Sequence, residues 1–143
     1  MPTKLRNILA VIAGLTSGII TNYGILNWVQ SLIPLPIGAD VSTMDGLSAA
    51  LQQFSPEHFV APFASHALGT LAGCLVALWI GVGSSARLVL PIAFFFLSGG
   101  IYMSYYLNAP LWFEIIDLVI AYLPMGWLAT QIWGYVVRSR RSL

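Results

Sequence analysis

His66, Glu114 and Asp117 lie where ionisable side chains are costly. His66 sits in APFASHALGTLAGCLVALWIG, between Ala61 and Gly81, and the two acids sit in LWFEIIDLVIAYLP, between Leu111 and Pro124. Both stretches otherwise carry no charge. A carboxylate deep in a bilayer costs about 2.5–3.5 kcal/mol on insertion scales, so it marks a functional site by default. Glu114 and Asp117 are three apart and share one helical face. An imidazole nearby lowers the cost by pairing, each partner favouring the other's charged form. Such a group can do one of two things. It can form a polar lock that fixes helix register and rotation, which is the first reading because buried polar networks serve structure as well as function. Alternatively, it can exchange a proton as a solute or cation enters.

Depth decides whether these groups can meet. At 1.5 Å per residue, Asp117 lies about 10 Å along its helix from Pro110, and His66 about 15 Å from Pro56. If the helix carrying His66 begins above the lipid, the two share a layer. Asn27 in the first apolar segment and Tyr102 in the third fall near that layer. Asn22 belongs with them, because its amide needs partners in a medium without water. It serves either as interhelical glue or as the lining of a polar cavity.

Other chemistries lack their residues. Cys74 is the one cysteine and lies two turns from His66, so no thiolate metal site forms within the chain. Only His66 is deep enough to ligate a haem. Ser65 and His66 are neighbours that point to different faces, not a nucleophile and its base. No glycine-rich phosphate loop and no nucleic-acid footprint is present. We therefore expect no enzyme activity, no cofactor and no bound metal.

The elements that must position these residues are helices in lipid. The chain of 143 residues is 58% hydrophobic and 8% charged, against about 25% charged in soluble domains. Four apolar segments, Ile8–Ile33, Val60–Val82, Leu88–Leu107 and Leu111–Val137, meet the length of about 20 residues needed to span a hydrocarbon core. This predicts an all-α integral membrane protein, one four-helix bundle over residues 1–143. The first segment is too long for a signal peptide's apolar core and is read as a retained span.

Small residues predict where the helices touch. Gly14 and Gly18 form a GxxxG pair. Ser65, Gly69 and Gly73 continue a row from Ala61 to Ala77 and Gly81 at steps of four. Such a row drifts about 40° per step, so it meets more than one neighbour. Part of that surface could also serve a homodimer or another membrane protein. Pro124 leaves the Ile120 carbonyl without its usual donor and predicts a kink in the fourth span.

Charge sets the orientation. With four spans, Lys4, Arg6, Arg87, Arg138, Arg140 and Arg141 all fall on one side, which the positive-inside rule makes cytoplasmic. Both termini are then cytoplasmic, and Asp40, Asp45 and Glu57 lie on the outer side. The basic tail is expected to be disordered and to anchor the last helix to anionic lipid. Tyr102, Tyr105, Tyr106 and Trp112 form an outer aromatic belt. In the first outer loop, Met44, Leu47, Leu51 and Phe54 predict a short amphipathic helix, capped by Ser42 with Asp45 three residues on. It lies on the membrane surface or caps the bundle, with a ligand lid as a further reading. Ser55-Pro56-Glu57 signals the next helix start, and His58 beside it reads as a solvated surface histidine.

SHALGTLAG and PLWFEIIDLVIAYLPMGWLA resemble a group of small, uncharacterised bacterial inner-membrane proteins. In that group an AH-x-x-G-x-x-x-G pattern and a P-x-WF…D…YLP-x-x-W pattern recur, here at Ser65–Gly73 and Pro110–Trp127. Ser65 stands where alanine is usual. The resemblance implies a four-helix protein of the bacterial inner membrane and includes the positions of His66 and Asp117. It implies no activity.

Overall fold

The computed structural model describes residues 1–141, with side chains through Ser139. Among them every regular element is helical: α1 (Thr3–Gln30), α2 (Met44–Leu51), α3 (Val60–Ile80), α4 (Ser85–Tyr106), α5 (Leu111–Ile120) and α6 (Leu123–Arg141). Four units are long and apolar enough to cross a membrane: α1, Pro56–Ile80, α4, and α5 with α6 taken together. Large apolar side chains such as Ile12, Ile20, Phe94, Ile115 and Val119 stand exposed around them, a surface that suits lipid and not water.

α1 begins at Thr3 instead of Ile8, because the polar head continues the helical ladder. It ends at Gln30, where Leu32 N–H bonds to the Val29 carbonyl in a tightened last turn. The α2 cap is Thr43, not Ser42: the Thr43 hydroxyl accepts from Gly46 N–H at 3.0 Å. Ser42 instead gives its hydroxyl and N–H to Asp40 Oδ1. Those two bonds, the hydroxyl first, hold the Asp40 carboxyl below its ordinary range. α6 continues helically to Arg141, so the expected disorder does not extend to that point. The side chains of Arg140 and Arg141 lie outside the described residues.

The tightest contact in the bundle is between α1 and α3. A Cβ on Gly14 would lie 2.6 Å from the Gly73 carbonyl oxygen, and one on Gly18 would lie 2.9 Å from that of Gly69. The two backbones touch, which only glycine permits. Farther along the row, Gly81 faces Leu88 of α4, so the row does serve two neighbours.

The end of the bundle that carries Lys4, Arg6, Arg87 and Arg138 is closed. Asn7 clasps the α3–α4 turn with both ends of its amide: Nδ2 donates to the Val82 carbonyl at 3.0 Å and Oδ1 accepts from Val82 N–H at 2.9 Å. Gly83 makes this turn at φ 92°, a conformation that L side chains rarely adopt. Below the clasp, Ala10, Cys74, Ala77, Leu88, Ile92 and Ala129 form one buried cluster. At the opposite end the helices separate. There α2 lies across the opening, with Gln52 Nε2 donating to the Asn108 carbonyl and Asn108 Nδ2 donating to Ser48 at 3.4 Å.

The glycine seam makes a contrast that thermal unfolding in detergent can measure. Gly73→Leu must push α1 away from α3 and should destabilise the bundle by about 1–3 kcal/mol. Gly99→Ala, where a Cβ meets nothing within 4 Å, should leave stability unchanged or raised.

Candidate functional site

The α3 helix places His66 one turn before Thr70, whose hydroxyl donates to the His66 carbonyl at 2.8 Å. Across from it, α5 presents Asp117. His66 Nδ1 lies 2.9 Å from each Asp117 carboxylate oxygen. A third residue, which sequence reasoning missed, completes the group. The Tyr122 hydroxyl donates to Asp117 Oδ2 at 2.8 Å, and its ring stacks on His66 with centroids 5.8 Å apart.

The fourth span breaks to allow this. α5 ends at Ile120, and α6 begins at Leu123. Pro124 has no N–H for the Ile120 carbonyl, so the expected kink is a full interruption at Ala121 and Tyr122. The tyrosine thereby turns back over the preceding helix. Gly100 of α4 leaves it room, since a Cβ there would lie 2.8 Å from the ring.

Asp117 is 4% exposed and Tyr122 1%. Among the described residues no buried side-chain nitrogen or oxygen is left without a partner. With the carboxylate ionised, Nδ1 carries the proton that bridges the pair. His66 keeps 30% of its side chain exposed, and among the described residues nothing hydrogen-bonds to its Nε2.

That exposed side borders a cavity of about 750 Å³, within the roughly 300–1,000 Å³ of small-molecule sites. The cavity lies between α1, α3, α4 and α5 under the cover of α2, in the open half of the bundle. His66, Asp117 and Tyr122 line it, and so do Asn22 and Glu114. The Glu114 carboxylate forms no ion pair or side-chain hydrogen bond among the described residues, and neither does the Asn22 amide. Asn22 therefore lines the cavity and does not bond to a neighbouring helix.

Other sequence candidates sit elsewhere. Asn27 is exposed and donates to the Tyr23 carbonyl of its own helix at 2.7 Å; it takes no part in the layer. Tyr102 borders the cavity, but it is 60% exposed, and its ring packs 4.7 Å from that of Tyr106, not on Asp117. Ser65 is buried and donates to the Pro62 carbonyl, and Gly14, Gly18, Gly69 and Gly73 form the α1–α3 seam. His58 is half-buried, not solvated. Its Nδ1 accepts from Ser55 N–H at 3.2 Å, and its Nε2 donates to the Pro34 carbonyl at 3.0 Å. Among the described residues no three His, Cys, Asp or Glu side chains gather to hold a metal ion.

No known protein family, no curated protein and no solved structure matches this chain.

The cluster makes a graded prediction for unfolding in micelles. Tyr122→Phe leaves Asp117 paired with His66 and should cost about 0.6–1.7 kcal/mol, the range of interhelical hydrogen bonds in membranes. His66→Ala leaves a buried carboxylate without its imidazole donor and should cost about 1.5–3 kcal/mol. A larger loss for Tyr122→Phe than for His66→Ala would mean that the hydroxyl, not the imidazole, holds the acid.

Proposed function

We propose that this chain is a small multi-pass membrane protein that binds a solute in its cavity and links that binding to protonation of the His66–Asp117 pair. In this reading it is a non-enzymatic carrier or receptor that needs no cofactor. One observation carries it: the buried Asp117 carboxylate lies at the edge of a cavity, and its partner His66 is exposed on that cavity. A sealed lock has no need of such an opening. A proton arriving through the cavity can be taken up by Nε2, converting the imidazole to imidazolium against the carboxylate. The other ionisable groups that line the cavity are Glu114 of α5, Tyr122 beyond it, Tyr102 of α4 and His58 before α3. From α1, Asn22 and Gln30 contribute only amides.

The location we propose is the bacterial inner membrane, supported by the two sequence patterns and by the clustering of the basic residues. The closed, basic end with both termini then faces the cytoplasm, as the positive-inside rule requires, and the cavity lies toward the outer side. A second reading keeps a specific observation in its favour. Asp117 has its hydrogen bonds made within the chain, as a structural lock would. In that reading the protein is an accessory that works through a partner or a second copy, and its polar layer only fixes the fold.

Infrared difference spectroscopy in reconstituted bilayers separates the two. The site reading expects imidazole ring bands of His66 that change when the bulk pH is varied, because the proton is taken up at Nε2. Those changes should vanish in His66→Gln. If no such band responds to pH, the layer is sealed and the accessory reading stands.

A further inference from the structure

Glu114 lies one turn outward of Asp117 on α5 and borders the same cavity. Asp117 is already engaged by His66 and Tyr122, so it is the Glu114 carboxylate that remains without a partner. Among the described residues no lysine or arginine reaches it. Arg138, on the same span, is about 35 Å away along the helices, and Lys4, Arg6 and Arg87 sit at the same closed end. The walls of that cavity are largely aromatic and aliphatic, among them Phe95, Phe96 and Phe113 with Leu47 and Leu51 of the covering helix.

From this geometry we infer that the cavity's ligand is a monovalent organic cation with an apolar body. The inference rests on the reading of the cavity as a solute site and names the chemistry of the solute. The apolar walls take the body, whose removal from water drives binding. The aromatic faces attract positive charge, and Glu114 provides the counter-ion. An inorganic cation would have to shed its water for too few ligands, since no metal-binding cluster gathers among the described residues. An organic anion would meet Glu114 at close range. A neutral amphiphile or a lipid chain would fill the walls but cover the carboxylate without pairing it.

The test uses the full chain in nanodiscs of zwitterionic lipid, with tetraphenylphosphonium as the cation and triphenylphosphine oxide as a neutral probe. Empty nanodiscs correct for partition into lipid. The inference expects saturable binding of the cation, at least tenfold tighter than that of the neutral probe. Glu114→Gln should weaken cation binding at least tenfold and leave the neutral probe unaffected. Since Glu114 has no partner to lose, the melting temperature of this variant should match that of the parent. Gly99→Phe provides a second check, because Gly99 borders the cavity and has open space at its Cβ position. It should weaken both probes by occupying the cavity with Glu114 intact.

Equal binding of the two probes, unaffected by Glu114→Gln, would overturn the cation inference while leaving the cavity as a solute site. Saturable binding of neither probe, with the His66 ring bands still responding to pH, would likewise overturn the inference and leave the proton link standing. No binding together with no titration would overturn both this inference and the function on which it rests.

Discussion

A carboxylate removed from water must find its hydrogen bonds within the protein. Asp117 finds them in the Tyr122 hydroxyl and the His66 imidazole, and much of the bundle can be understood as what that requires. Bringing His66 to the acid demands that α3 and α5 approach at one depth. Turning Tyr122 back demands that the fourth span break. Giving the tyrosine space demands a glycine on α4. The cluster thus draws on three of the four apolar units, and α1 takes part only by fixing where α3 stands.

The bundle divides its labour by length. Toward the basic end, small and branched side chains fill the space between helices, and the Asn7 amide closes the α3–α4 turn. Toward the other end, α1 stays on α3 while α5 stands apart, and the gap becomes the cavity. Tight packing at one end and separation at the other belong to one arrangement. Two backbones in direct contact through glycine cannot also lean outward to cover a neighbour.

Hydropathy alone made the four long helices legible, since few other sequences hold so little charge over such lengths. The small-residue rows revealed the seam, because close approach needs glycine wherever it occurs. The meeting of His66 with Asp117 followed from helix rise and a shared depth. Tyr122 was hidden for a geometric reason. Residues five apart on a continuous helix differ by about 140° in direction, so no face of an unbroken span holds both Asp117 and Tyr122. The same angle separates Asn22 from Asn27, which explains why only the first borders the cavity: depth placed both near the layer, and direction removed one. The cap at Thr43 displaced Ser42 because Asp40 had already engaged the serine. The cavity itself could not be read, because it depends on how far helices separate, a property of no single residue.

The glycine seam also bears on the order in which the chain is made. It joins two helices that are made before α4, α5 and α6, so the firmest contact of the fold needs none of those three. The span carrying Glu114 and Asp117 is made after both. By the time those acids leave the ribosome, His66 can already stand in a fixed scaffold. For a chain that spans a membrane as proposed, the most demanding segment then meets a waiting partner, and the period in which its carboxylate faces lipid alone is kept short.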